Sequence, residues 1–420
     1  MTGPSGASRD PATRDPATSD PATRDPASWL DRRDAVVMPT YARPVLTLLR
    51  GSGCAVWDSE GREYLDLIGG IAVSALGHGH PRVARAVARQ LTTLAHTSNL
   101  FGNVPSVLLA ERLVKILDLP PGTDARVFFC NSGAEANEAA IKIAFRTGRR
   151  AMVSAEGSFH GRTLGALSIT GQPAKRAPFE PLLGPVTFVP YGDLASLREA
   201  VSEQTAAVFL EPIQGEGGLV TPPPGYLAAA RVICDRTGAL LVVDEVQSGI
   251  ARSGSWFASR GEAVLPDVVT LAKGLAGGLP IGAAIGIGRA ATLLRPGDHA
   301  TTFGGNPVAC AAALAVLDEI EENDLLAHVR SMGAHLADRL RALQDPLLAA
   351  VRGRGLWLGL VLIQPIAAQF EAAAREAGFL VNAVAPAVVR LAPPLVVTDA
   401  ELGRFVERFP EIARAAERAA

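Results

Sequence analysis

The amino-acid sequence predicts an α/β fold, in which a mostly parallel β-sheet is covered by helices on both faces, together with a smaller α+β domain. Five short apolar runs are each typical of a buried strand, at residues 127–130, 207–210, 240–243, 268–271 and 281–287. Helical patterns separate several of these runs and begin at Ala134, Gly225 and Pro307. Buried strands joined by helical crossovers form parallel sheets with both faces covered.

Further elements are predicted on either side of these runs. Residues 51–67 have the pattern of a β-hairpin, with polar turn residues between two strand-like halves. A helix is predicted from residue 81 to 94, because a proline opens it and apolar residues recur on one face. Beyond Pro307, an alanine-rich helical stretch is followed by short strands around residues 357–363 and 388–391, the pattern of a small α+β domain.

The N-terminal segment differs in composition from the rest of the chain. A five-residue repeat begins at Asp10 and returns from Asp15, Asp20 and Asp25. Because proline and small polar residues bury little apolar surface, we expect a disordered leader over residues 1–35; a tail that binds a partner is the alternative.

The predicted domains follow from this organisation. Residues 76–305 would form the large domain, which carries the parallel sheet. Residues 36–75 and 306–420 would form the smaller domain together.

Composition excludes several classes of protein. The 420 residues include 40 basic and 42 acidic side chains, a net charge of −2, which argues against a nucleic-acid-binding surface. No run of eighteen apolar residues and no signal-peptide pattern are present, so we expect a cytoplasmic protein. No metal site is predicted, and the cysteines are expected to be buried free thiols: Cys54, Cys130, Cys234 and Cys310.

Two charged residues follow neighbouring predicted strands. Asp244 ends the run at 240–243, and Lys273 comes just after the run at 268–271. Because open α/β sheets bind ligands at the carboxyl ends of their strands, both side chains could face one pocket. Desolvation and a nearby cation would lower the pKa of the lysine, which a Schiff-base nucleophile requires. A carboxylate there could hold a pyridine nitrogen protonated; an ordinary ion pair is the alternative.

A possible phosphate site precedes the helix that begins near Ala134. Ser132 is a suitable cap, and Gly133 lets a ligand approach the backbone closely. A helix N-terminus with small residues binds phosphate through its backbone N–H groups. Capping alone would also explain this segment.

Taken together, seven motifs resemble the class III pyridoxal-phosphate (PLP) aminotransferases, and within them the acetylornithine aminotransferases. They are NSGAEANEAA (131–140), SFHGRT (158–163), EPIQGEGG (211–218), DEVQSG (244–249), LAKGL (271–275), TTFGGNP (301–307) and RLAPPL (390–395). The resemblance extends from about Tyr41 to the C-terminus. It implies PLP fold type I, whose large domain has a mostly parallel seven-stranded sheet, and a homodimer with shared active sites.

The resemblance also implies roles for individual residues. Lys273 would bind the cofactor covalently and move the substrate proton, and Asp244 would pair with the pyridine nitrogen. Arg390 would hold the α-carboxylate of glutamate, and Arg162 a carboxylate at the other end of the substrate. Glu216 would mask Arg390 when the amino donor is bound. Thr301 would contact substrate, and Thr302 would reach the cofactor phosphate of the neighbouring subunit. The other residues implied to contact the cofactor are Ser132, Gly133, Ala134, Phe159, Val246 and Gln247.

The implied reaction transfers the δ-amino group of N-acetylornithine to 2-oxoglutarate. Ornithine, succinylornithine, succinyldiaminopimelate and 4-aminobutyrate are alternative donors within the class. A non-catalytic PLP-binding regulator is disfavoured because no DNA-binding module or basic patch is visible. A PLP-dependent mutase or decarboxylase is disfavoured because two substrate arginines suit alternating carboxylate substrates.

Overall fold

The computed structural model describes residues 26–420, so the repeat at residues 10–25 lies outside the described residues. The prediction of a disordered leader up to residue 35 was wrong over its last part, where Pro26–Val36 forms a helix, α1. Arg43 reaches back to this helix and pairs with Asp31 at 2.6 Å and with Asp34 at 3.0 Å. Carboxylates three residues apart lie on one helical face, so a single guanidinium contacts both.

Thirteen α-helices and fifteen strands are described within residues 26–420. The remaining helices are α2 (Gly69–Ala72), α3 (Pro81–Thr93), α4 (Val104–Ile116), α5 (Gly133–Phe145), α6 (Leu164–Ser168), α7 (Pro173–Arg176), α8 (Leu194–Ala200), α9 (Tyr226–Thr237), α10 (Pro307–Glu322), α11 (Leu325–Ala342), α12 (Ala367–Glu376) and α13 (Asp399–Arg418). The strands are β1 (Leu48–Ser52), β2 (Ala55–Asp58), β3 (Glu63–Asp66), β4 (Ala125–Cys130), β5 (Ala151–Ala155), β6 (Val186–Val189), β7 (Thr205–Leu210), β8 (Leu240–Asp244), β9 (Val268–Leu271), β10 (Gly282–Ile287), β11 (Leu348–Gly353), β12 (Leu358–Leu362), β13 (Phe379–Leu380), β14 (Asn382–Ala385) and β15 (Val388–Leu391).

The central sheet has seven strands in the order β4-β10-β9-β8-β7-β5-β6. Only β10 runs antiparallel to its neighbours, so the predicted mostly parallel seven-stranded sheet is confirmed. Every residue of β7 and β8 is buried, as expected for strands covered on both faces. The strands β5 and β6 were not among the predicted strands. The strand β6 lies at the edge and is only partly buried, so its apolar pattern is weak.

Two smaller sheets contain the remaining strands. One has the order β1-β2-β3-β13 and includes the predicted hairpin, in which Ala55 lies opposite Leu65. The other has the order β11-β12-β15-β14. The strands β3 and β13 pair directly. This small sheet therefore contains one segment that precedes the central sheet in the sequence and one that follows it. The division into a large domain (76–305) and a smaller domain (36–75 with 306–420) stays a prediction.

Apolar packing joins the sheets. One continuous cluster contains Leu271 and Ile285 of the central sheet, Leu360 and Leu391 of the last small sheet, and Phe405 of α13. The carboxyl ends of β8 and β9 therefore lie next to the C-terminal part of the chain. Within residues 26–420, none of the helices combines the length and the apolarity needed to cross a membrane.

Candidate active site

Asp244 and Lys273 lie at the carboxyl edge of the central sheet, as their positions after two strands predicted. The strands β8 and β9 pair in parallel, and Asp244 lies opposite Thr270. Both side chains line a cavity of about 400 Å³. The tertiary structure thus brings together two residues that are twenty-nine positions apart in the sequence.

Hydrogen bonds hold the carboxylate of Asp244 from several sides. Its Oδ2 accepts a hydrogen bond of 2.8 Å from Asn137 Nδ2 and lies 2.8 Å from His160 Nδ1. The backbone N–H of Val246 donates to Oδ1 at 2.9 Å. Burial would lower the pKa of His160, but Asp244 and then Glu211 counteract it, and the net shift is upward. The orientation of the carboxylate is therefore set by α5, by the loop after β5 and by its own strand end.

Lys273 has an unusual backbone and an unusual amine. It opens a short 3-10 helix, Lys273–Ala276, with φ of +43°, a conformation that non-glycine residues adopt mainly where the surrounding structure enforces it. Burial lowers the pKa of its amine to about 8, and the positive charge of Arg390 adds to this effect. The charges of Glu216, Asp244 and Glu211 oppose the shift. A substantial neutral fraction near pH 8 suits a nucleophilic amine.

The N-terminus of α5 forms another wall of the cavity. Ser132 caps the helix, because its Oγ accepts the N–H of Glu135 at 3.2 Å. The N–H groups of Gly133 and Ala134 have no acceptor within residues 26–420, and both residues line the cavity. A Cβ at Gly133 would lie 2.6 Å from Val246 Cγ1, so only glycine lets the backbone pack this closely. The unpaired N–H groups fit a phosphate.

An ion pair between a buried arginine and a partly buried glutamate lies on another side of the cavity. Arg390 on β15 is 2% exposed, and its Nη1 donates to Glu216 Oε1 at 2.6 Å. Burial would raise the pKa of Glu216, but the charge and hydrogen bond of Arg390 outweigh it and the pKa is lowered. Gln247 Oε1 accepts a longer hydrogen bond of 3.4 Å from the same Nη1. The predicted neighbours Glu216 and Arg390 are thus in contact.

Glu216 is presented by a tight turn. Backbone hydrogen bonds of 2.9 and 3.1 Å join Gln214 and Val220 on its two sides. A Cβ at Gly215 would lie 2.6 Å from Cζ2 of the fully buried Trp357 ring and 1.7 Å from Gln247 Oε1, so this position favours glycine. The glycine-rich sequence therefore allows the turn to approach Gln247 and Arg390.

Phe159 and Arg162 line the cavity as well. The N–H of Phe159 donates to Glu211 Oε2 at 3.1 Å. The guanidinium of Arg162 lies 5.6 Å from the centroid of the Phe159 ring, and the arginine is exposed. A cation is therefore available at the open side of the cavity.

Neither Thr301 nor Thr302 is among the residues that line this cavity within the described chain. Thr301 Oγ1 instead accepts hydrogen bonds from Gly304 N–H at 3.2 Å and from Asn131 Nδ2 at 3.3 Å. Thr302 is exposed. The contact of Thr301 with substrate and the role of Thr302 in a neighbouring subunit both stay predictions.

Three buried polar residues of the site were missed by the sequence reasoning. Asn137 and His160 contact Asp244, and Glu211 lines the cavity. Burial, and less strongly the charge of Asp244, raises the pKa of Glu211 to about 8, although His160 opposes the shift. All three residues lie inside motifs that the sequence analysis quoted, but only the fold shows what they contact. No group of three potential metal ligands occurs in the described part of the chain.

Known proteins share this fold and sequence. The family model described as "Aminotransferase class-III" matches residues 37–413. The acetylornithine aminotransferase of Mycolicibacterium smegmatis is 57% identical over 381 residues, which cover 91% of this chain and 97% of the relative. Among solved structures, the N-acetylornithine aminotransferase of Stenotrophomonas maltophilia K279a has a TM-score of 0.80 and 36% identity, with 93% of this chain and 100% of that chain covered.

A second solved structure is the ornithine aminotransferase of Toxoplasma gondii, which has PLP at partial occupancy in its active site. Its TM-score is 0.88 and its identity 32%, with 94% of this chain and 96% of that chain covered. The family model alone spans most of the sequence, and the relatives agree with it. The chain therefore belongs to the class III aminotransferase family.

Proposed function

We propose that this enzyme transfers the δ-amino group of N-acetylornithine to 2-oxoglutarate, with PLP as cofactor. The products would be N-acetylglutamate 5-semialdehyde and glutamate, a reaction of arginine biosynthesis. The observation that carries the proposal is the ion pair of buried Arg390 with Glu216, 2.6 Å apart, since Glu216 lines the same cavity as Lys273. The acetylornithine aminotransferases that resemble the chain support the choice of donor.

The residues present fit PLP. Gly133 and Ala134 would bind its phosphate through their unpaired N–H groups, with Ser132 at the same helix end. Asp244 would hold the ring nitrogen, and Lys273 would attach the aldehyde. The other residues that would contact the cofactor are Phe159, Val246 and Gln247. When bound, PLP supplies an electron sink for the charge left by a departing proton.

Lys273 would act in proton transfer as well as in attachment. The lowered pKa of its amine, about 8, lets Nζ accept a proton near neutral pH. Nζ would take the proton from the amine-bearing carbon of the donor and deliver it to the aldehyde carbon of PLP, and it would move a proton in the opposite direction when 2-oxoglutarate is the substrate. Asp244, held by Asn137 and His160, would keep its orientation through both transfers.

Arg390 and Glu216 would distinguish the two substrates. Glutamate and 2-oxoglutarate carry a carboxylate next to the reacting carbon, and Arg390 is suited to bind it as a planar, bidentate donor. N-acetylornithine reacts at a terminal amine carbon that has no adjacent carboxylate. Glu216 would then stay paired with Arg390, so that the buried positive charge of Arg390 remains compensated. Arg162 would bind the carboxylate at the other end of either substrate.

A panel of amino donors tests the proposed function. With 2-oxoglutarate as acceptor, kcat/KM should be highest for N-acetylornithine among N-acetylornithine, ornithine, N-succinylornithine, N-succinyldiaminopimelate and 4-aminobutyrate. We expect an advantage of roughly tenfold or more over ornithine, because ornithine adds a charged amine where the acetamide should lie. A higher kcat/KM for another donor would reassign the substrate. Lys273→Ala is the control and should show no turnover.

We also propose a cytoplasmic homodimer with shared active sites. Thr302 and Phe303 are exposed, and so are Leu100 and Phe101. Exposed apolar side chains of this size are typical of a subunit interface. The four buried thiols suit a reducing compartment. Sedimentation equilibrium should give twice the chain mass; a monomer would contradict the shared site.

A further inference from the structure

We propose that Asn382 is a positioning residue for Arg390, whose guanidinium it holds in place while Glu216 releases it to a substrate carboxylate. This inference rests on the proposed function, because it concerns the half-reaction of glutamate and 2-oxoglutarate. The geometry that supports it is a second short hydrogen bond on Arg390, formed by a neutral acceptor.

Asn382 and Arg390 are direct cross-strand neighbours. They lie opposite each other in the antiparallel pair of β14 and β15, so their side chains project to the same face of the sheet. Arg390 Nη2 donates to Asn382 Oδ1 at 2.6 Å, whereas Nη1 donates to Glu216 Oε1 at 2.6 Å. The two acceptors therefore use different nitrogens of one planar group. Loss of Glu216 leaves the bond to Asn382 intact.

The strand that carries Asn382 is itself anchored. Glu371 on α12 accepts the backbone N–H of Ala383 at 2.5 Å, next to Asn382. Ala383 also lies opposite Val389, the neighbour of Arg390. The backbone that carries Asn382 is thus held beside β15. The amide oxygen of Asn382 can therefore keep its hydrogen bond to Arg390 while the guanidinium exchanges Glu216 for a substrate carboxylate.

The charge of the acceptor matters because Arg390 is buried. Its Nε has no hydrogen-bond partner within residues 26–420, so Nη1 and Nη2 make all of its contacts. A neutral oxygen at Asn382 fixes the plane of the guanidinium and leaves its charge for the substrate. A carboxylate at the same position would be a permanent counter-ion that competes with the incoming one. An apolar side chain would leave Nη2 unpaired and the plane free to turn.

The test compares Asn382→Asp, Asn382→Ser and Asn382→Ala in the PLP-loaded enzyme. Each half-reaction is followed separately by rapid mixing, from the visible spectrum of the cofactor, with glutamate or with N-acetylornithine. Asn382→Asp should raise the apparent Kd for glutamate ~10-fold or more with little change in the limiting rate, because binding and not chemistry is affected. The constants for N-acetylornithine should change less than about threefold, because Glu216 remains on Arg390 there. Asn382→Ser retains a neutral oxygen and should bind glutamate more tightly than Asn382→Ala.

A matched control is Gln204→Glu, which adds the same single charge at an exposed position and should change neither half-reaction. An equal loss in both half-reactions, or a loss in the limiting rate alone, would overturn the role of Asn382. If Asn382→Asp does not fold, the affinities of Asn382→Ser and Asn382→Ala for glutamate are compared instead. Equal affinities of these two variants would refute the inference. A wild-type enzyme that does not react with glutamate would instead contradict the proposed function.

Discussion

Lys273 illustrates how the surroundings of one side chain determine its reactivity. In water a lysine amine is almost entirely protonated at neutral pH. Here burial and the charge of Arg390 lower the pKa to about 8, against the opposing charges of three carboxylates. The neutral amine is therefore the major form above about pH 8. A lysine with an ordinary pKa of 10.5 would reach that state only in strongly alkaline solution.

The rate of PLP attachment to the cofactor-free enzyme should follow this ionisation. The neutral amine is the attacking form, so the rate should rise about tenfold per pH unit below the pKa and level off above about pH 8. Rapid mixing with PLP over pH 6–10, followed by visible absorbance, measures the profile. A rate that still rises up to pH 10 would contradict the lowered pKa. Lys273→Ala should show no such absorbance change at any pH.

At the scale of elements, the site depends on how closely α5 approaches the end of β8. Gly133 opens the helix, and Val246 follows the strand by two residues. The two contact each other so closely that a Cβ at Gly133 would lie 2.6 Å from Cγ1 and 2.9 Å from Cγ2 of Val246. The unpaired N–H groups of the helix and Asp244 line the same cavity.

Gly133→Ala should weaken PLP binding. Alanine is the better helix former, so helix propensity alone would predict a gain in stability. The clash with Val246 should instead displace the helix end, at a cost of about 1–3 kcal/mol, or ~5- to 150-fold in cofactor affinity. Equilibrium dialysis measures the affinity.

Two further variants show whether the contact is the cause. The double variant Gly133→Ala with Val246→Ala should recover part of the loss, because it restores the space. Gly184→Ala is the control, since Gly184 is exposed and the nearest atom to the added Cβ, Val186 N, lies 4.0 Å away. Equal losses in the single and double variants would show that Val246 is not responsible.

At the scale of the whole molecule, one buried arginine joins the central sheet to the C-terminal chain. Arg252 lies in the loop after β8 and is 3% exposed. Its Nη1 donates to the carbonyl oxygens of Leu356 at 3.0 Å and of Pro393 at 2.5 Å. Burial lowers its pKa to about 10, with partial compensation by Asp66. These hydrogen bonds hold the strand end at Asp244 against the chain that carries Arg390.

Arg252→Ala should therefore destabilise the protein. Two buried carbonyl groups lose their donor and a cavity is left, at an expected cost of about 2–4 kcal/mol. The thermal midpoint of the PLP-loaded enzyme, measured at one scan rate and one protein concentration, should fall by several degrees. Arg198→Ala removes an exposed arginine on α8 and should leave the midpoint unchanged. Equal midpoints for the two variants would show that Arg252 contributes little.

The sequence alone was sufficient to predict the α/β class, the mostly parallel sheet, the hairpin and the positions of Asp244 and Lys273 after their strands. These features depend on local patterns, because apolar runs and strand ends are visible in the order of residues. The strands β5 and β6 and the helix α1 were not predicted. A partly buried edge strand and a helix stabilised by a distant arginine have weak local signals.

Only the tertiary structure decided which side chains meet in the cavity. Asn137 contacts Asp244 across 107 positions, and Arg390 contacts Glu216 across 174. Burial of such contacts also shifts the pKa values of Lys273 and Glu211 to about 8. A local sequence pattern cannot reveal these partners or pKa shifts, because both arise only when strand ends that are far apart in the sequence are packed together. The sequence thus determined which chemical groups were available, and the packing determined their partners and their ionisation.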